Sequence, residues 1–104
     1  MNQLEYFCRN YLYQDWSLSQ IWPQPLEEFL HNEMTVVLSG FLVELKNLPT
    51  ETETERELQQ RLLSDYEAHF APIDVGLTWK SWLLSLEHAV RRELERRLEV
   101  PSPG

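Results

Sequence analysis

The sequence holds one cysteine, Cys8, in 104 residues. A lone thiol rules out an intrachain disulfide and a cysteine-paired zinc site, and it suits a reducing compartment. Glycine is scarce as well: three residues are too few for a turn-rich all-β fold. Long apolar runs are missing. The longest, Met34–Leu38 and Phe41–Val43, fall far short of the roughly 20 residues that a membrane-spanning helix needs. The opening decapeptide, Met1–Asn10, has neither a basic nor an apolar signal region, so a cytoplasmic location is expected. Positive charge is in short supply, with nine Lys and Arg against 17 Asp and Glu, for a net charge of −8. Such a surface repels phosphate backbones, which argues against direct nucleic-acid binding, and it complements a cationic partner.

Catalytic signatures are absent too. The chain contains no G-x-S-x-G, Walker A, G-x-G-x-x-G or H-E-x-x-H pattern. The best metal-ligand candidate is Asp65 with His69, spaced i, i+4 as on one helix face. Two ligands are too few, and His31 or His88 would have to join from another helix. A small metal-dependent helical enzyme therefore ranks behind a surface pair of polar residues. No catalytic residue, metal or cofactor is expected.

What the chain does have is apolar periodicity. Leu4, Phe7, Cys8, Tyr11 and Leu12 recur at helical spacing over Gln3–Tyr13, which places Cys8 in the core. Asp15 and Ser17 are turn formers around Trp16. Pro25 suits the first turn of a second helix, whose face is Leu26, Phe29 and Leu30. Val37, Leu38, Phe41, Leu42 and Leu45 define a third helix over Met34–Lys46. Gly40 inside it costs about 1 kcal/mol relative to Ala, which a close helix–helix approach there could offset. Thr54 and Glu57 form a capping box ahead of Leu58, Leu62, Leu63 and Tyr66. Pro72, Asp74 and Gly76 mark a loop. Thr78 caps a long last helix with Trp79, Trp82, Leu83, Leu86, Val90, Leu94 and Leu98 on one face. Glu87–Arg91 and Glu93–Arg97 on that helix have the favourable i, i+4 order.

No segment alternates with a period of two. The expected fold class is all-α: a compact single-domain bundle of about five helices, some short, over residues 1–100, with a frayed Pro-rich tail at 101–104. Twelve aromatic residues, four of them Trp, supply its core. Trp79 and Trp82 fall on the apolar face of the last helix. Trp16 and Trp22 flank irregular structure, where core packing is the expectation and partial exposure the alternative.

The negative charge is concentrated. Residues 50–77 carry −5, residues 1–49 carry −4, and residues 78–104 carry +1. The candidate partner-binding residues are Glu51, Glu53, Glu55, Glu57, Asp65, Glu67 and Asp74, whose carboxylates could meet Arg or Lys of a partner. Taken alone, the residues describe an acidic helical binding protein.

The run Tyr6-Phe7 … Tyr11-Leu12-Tyr13-Gln14-Asp15-Trp16 resembles the opening of a family of contact-dependent growth inhibition immunity proteins. Trp22 and Pro25 ahead of Phe29-Leu30, the acidic helix near Glu53–Leu63, and Trp82-Leu83 in the final helix extend the resemblance from about Leu4 to Leu98. The Thr-Glu linker at Thr50–Thr54 and the Pro-rich tail depart from the pattern. The resemblance implies a small all-helical protein that binds and neutralises the cognate toxic C-terminal domain of an effector, expected to be a basic nuclease acting in the cytoplasm. It implies no catalytic motif and no particular contact residue, and it gives Gln14, Asp15 and Trp16 a role in the fold. An acidic inhibitor could cap the basic groove of such a toxin. On this reading, reversing Glu51, Glu53 and Glu55 together should slow association. The alternative is an acidic helical adaptor or regulatory subunit that binds a basic cellular protein.

Overall fold

Helix α1 (Gln3–Tyr11) starts where the Asn2 side chain accepts the Glu5 N–H at 2.7 Å. The structure, a computed structural model, describes residues 2–98. The tail expected at 101–104 lies outside the described residues. Five α-helices and no strand are found among those described: α1, α2 (Gln24–Asn32), α3 (Thr35–Asn47), α4 (Glu55–Gln59) and α5 (Trp79–Leu98). Two short 3-10 turns, Trp16–Leu18 and Pro72–Val75, stand between them. The all-helical expectation is met. Helix α1 packs on α2 and α3, while α5 packs on α2, α3 and α4.

Each boundary has a local cause. Helix α1 ends two residues early, at Tyr11, and Leu12 is its C-cap, with its N–H bonded to the Cys8 carbonyl. Pro25 sits in the first turn of α2, where a missing N–H is tolerated. The capping box expected at α4 is formed, since the Glu57 N–H bonds Thr54 Oγ1 at 3.1 Å and the Glu57 carboxylate accepts the Thr54 N–H at 3.2 Å. Beyond Gln59 the helix widens into a π turn over Gln60–Asp65. Glu67 follows with φ of 56°, a left-handed conformation that ends the turn. Thr78 caps α5 as expected, accepting the Ser81 N–H at 3.1 Å.

The apolar stripes converge on two joined aromatic clusters. In one, Phe7, Phe29 and Phe41 meet edge-on or tilted at centroid distances of 5.0–5.7 Å. In the other, Phe70 lies 4.9 Å from Trp22 and 5.3 Å from Trp82, and Trp16 and Trp79 pack at its margins. Trp16 is buried and Trp22 half-buried. Each fully buried large side chain contributes roughly 1.5–3 kcal/mol, so these clusters dominate the stability of a chain this short.

Three expectations need correction. Leu63 is 38% exposed, because it lies one residue past the buried Leu62 and so turns to the flank of the helix. Leu98 is 81% exposed, near the end of α5 beyond the corner that Arg97 makes with α2 and α3. Gly40 does not mark a close backbone approach. A Cβ there would meet only Gln3 Cγ, at 3.6 Å, an ordinary contact.

Charged side chains from distant segments close the bundle. The Glu44 carboxylate on α3 accepts the N–H groups of Gln3 and Leu4, both at 2.8 Å, at the N-terminus of α1. At the other end of α5, Arg97 donates to the Leu30 and Glu33 carbonyls, both at 2.8 Å, where α2 leaves its last C=O groups unpaired. Glu33 also accepts the hydroxyls of Tyr6 and Tyr11. The bond to Glu33 is the main reason the Tyr6 pKa lies above its ordinary value, and burial is the main reason for Tyr11.

Candidate functional site

The seven acidic candidates divide by what their carboxylates touch. Glu55 bonds the Trp79 N–H at 2.6 Å and the Lys80 N–H at 3.0 Å, so it caps the N-terminus of α5 from across the fold. A carboxylate there meets both the unpaired amides and the positive end of the helix dipole. Glu57 is committed to the α4 capping box. Glu53 pairs with Arg61, and its side chain is only 13% exposed. That bond raises the Arg61 pKa. Glu53 Oε2 and Arg61 Nε are buried without a partner, so the pair is held by one bond. Glu67 pairs with Arg9 at 2.7 Å.

Glu51, Asp65 and Asp74 are exposed, and their side chains accept no hydrogen bond from a described residue. The Asp65 backbone carbonyl does accept a 3.3 Å bond from Arg9. The structure therefore brings Glu53, Glu55 and Glu57 together on one short segment but turns all three to internal work. Glu51, Asp65 and Asp74 lie apart, on the linker before α4, at the end of the π turn, and on the second 3-10 turn.

A groove runs between the two 3-10 turns. Trp16, Trp22 and Phe70 line it together with Ile21, Asp74 and Val75, and its volume is about 280 Å³. Two backbone-directed bonds fix its walls. Trp16 Nε1 donates to the His69 carbonyl at 2.6 Å, and the His69 N–H donates to the Leu12 carbonyl at 2.9 Å. Ile21 in its lining is 77% exposed, and Leu18 and Ile73, next in sequence to the lining residues Ser17 and Asp74, are 83% and 80% exposed. Exposed apolar side chains gathered beside a concave surface mark an interaction site more strongly than scattered ones do. Sequence reasoning missed these residues. Their signal was apolar character in places that no helical stripe claims: Leu18 and Ile21 in the short stretch before Pro23, and Ile73 and Val75 among turn formers. A second groove of about 380 Å³ is lined by Glu55, Arg56, Ile73 and Trp79 among others.

The remaining chemistry is sparse. Cys8 is buried in the core, and burial pushes its thiol pKa up to about 12, which holds it as an unreactive thiol. Asp65 and His69 do not share a helix face, because the π turn ends at Asp65, the chain bends at Tyr66 and Glu67 is left-handed. Among the described residues no three His, Cys, Asp or Glu side chains gather where they could hold a metal ion. No helix among them is long and apolar enough to cross a membrane.

Comparison with known proteins places the chain. The model of the CdiI immunity protein family matches residues 1–90, and the chain belongs to that family. No curated protein and no solved structure gives a significant match. CdiI proteins are non-enzymatic inhibitors that bind a cognate CdiA toxin domain and neutralise it. Membership decides for an immunity protein over a general adaptor.

Proposed function

We propose that this CdiI immunity protein acts in the cytoplasm, and that it neutralises a basic, nucleic-acid-cleaving toxin domain by forming a stoichiometric complex with it. The observation that carries this reading is the charge of residues 50–77, which is −5. A nuclease domain must present a basic surface to phosphate, and an acidic inhibitor is attracted to that same surface at a distance. Glu51, Asp65 and Asp74 are the carboxylates available for direct contact. Glu53, Glu55, Glu57 and Glu67 add to the field while they hold the fold, Glu53 and Glu67 being partly offset by Arg61 and Arg9.

The experiment is co-expression with the cognate CdiA toxin domain, followed by a cleavage assay of the purified toxin on DNA and RNA. Growth rescue, a 1:1 complex and loss of nuclease activity at equimolar inhibitor are the expected results. A toxin domain that cleaves neither nucleic acid, or that carries an acidic surface, contradicts the proposal.

A further inference from the structure

Resting on that reading, we infer that the groove between the two 3-10 turns is the anchor site for the toxin, and that it receives an arginine side chain presented on an apolar loop. Three aromatic side chains line it: Trp22 is half-buried and packs 4.9 Å from Phe70, which lies 5.9 Å from the buried Trp16. Asp74 stands at the rim with a carboxylate that accepts no bond from a described residue. No Lys or Arg lines the groove. A half-buried aromatic ring beside an unpaired carboxylate suits a guanidinium, which stacks on the ring and bonds the acid at its edge.

Size and surroundings agree. At about 280 Å³ the groove falls just under the roughly 300–1,000 Å³ of sites for whole small molecules, and it suits one long side chain. Ile21 and Val75, exposed apolar side chains in the lining, would exclude water around the cation, the arrangement found at interface anchors. The neighbouring groove is a poorer cation site, because Arg56 lines it and Glu55 is already bonded to α5. The outer face of α3, with Val36 and Val43 exposed, carries apolar surface without a charge to select a partner residue.

The test uses the full chain and its cognate CdiA toxin domain, with binding followed in real time. The wild-type protein comes first, because failure to bind overturns the proposed function and the groove together. Asp74→Lys and Ile21→Glu change exposed positions, and circular dichroism checks that each variant keeps its helices. Each is expected to weaken binding about tenfold or more, mainly through faster dissociation. Asp74→Glu should retain affinity, and Val36→Glu on α3 should bind within about twofold of wild type. A double-mutant cycle between Asp74→Asn and alanine substitutions of the toxin's arginines should find one arginine coupled to Asp74. Wild-type binding combined with unchanged affinity in Asp74→Lys and Ile21→Glu overturns the groove and leaves the proposed function standing. A cycle with no coupled arginine overturns the arginine assignment.

Discussion

Residues 53–57 and residues 72–75 put acidic charge to opposite uses. In the first segment Glu53 turns to Arg61, Glu55 to the first amides of α5, and Glu57 to the α4 cap. In the second, Asp74 stands exposed between Ile73 and Val75, both also exposed. Counted by formal charge, the first segment is the stronger candidate for meeting a basic partner. Counted by what each carboxylate already touches, the second is. The lesson is that an unpaired helix N-terminus or a half-buried arginine inside the fold competes with a partner for the same acid, and it wins when the geometry is fixed.

That contrast can be broken by measuring stability. The largest loss is expected for Glu53→Ala, which leaves the Arg61 guanidinium without its partner. Breaking a fully buried pair costs about 3–5 kcal/mol, and the Arg61 side chain is 33% exposed, so about 2 kcal/mol is the expected cost. Glu55→Ala removes two charge-assisted bonds at the start of α5 and should cost about 1–2 kcal/mol. Glu51→Ala should change stability by no more than about 0.5 kcal/mol. Urea unfolding of the three variants checks the order. Equal stabilities would remove the distinction between committed and available acids. Reversing Glu51, Glu53 and Glu55 together would mix both kinds, because a slower association could then reflect a damaged fold.

A smaller effect sharpens the same point through pH. Hydrogen bonds from Arg96 and then Arg97 hold the Glu93 carboxyl down at about 2, against an ordinary value of 4.5. A depressed folded-state pKa stabilises the protein above the unfolded pKa, and that stability is lost as pH falls through the folded value. The contribution of Glu93 is therefore complete above about pH 4.5 and fades toward about pH 2. The stability gap between wild type and Glu93→Gln should narrow across that window. A gap that stays constant would mean that the arginines do not hold this carboxylate.

Much of the fold was legible because it is local. The stripe through Leu4, Phe7 and Cys8, the Thr54–Glu57 box, the Thr78 cap and the Glu87–Arg91 pair all act within one helix turn or its neighbour. The destinations of Glu55 and Glu44 were not legible, since each caps a helix that is remote in sequence. Gly40 was misread for the same reason. Its neighbour across the interface is the flexible Gln3 side chain, and one sequence cannot supply that. The groove was hidden because two turns far apart in the chain build it, and each looks like ordinary loop when read alone. Among the seven acidic candidates, the sequence could not tell those bonded within the fold from those left exposed, because the bonding partners of Glu53, Glu55 and Glu67 are not their immediate neighbours in the chain.

The kinetics of toxin association test the central claim most directly. Glu51→Lys, Asp65→Lys and Asp74→Lys combined reverse the three of the seven acidic candidates that have no internal partner, and they leave Glu53, Glu55 and Glu57 in place. At low salt the triple variant should associate with the cognate toxin domain at least about tenfold more slowly than wild type, with a flatter dependence on ionic strength and an unchanged urea midpoint. An association rate equal to that of wild type at every salt concentration would contradict the account.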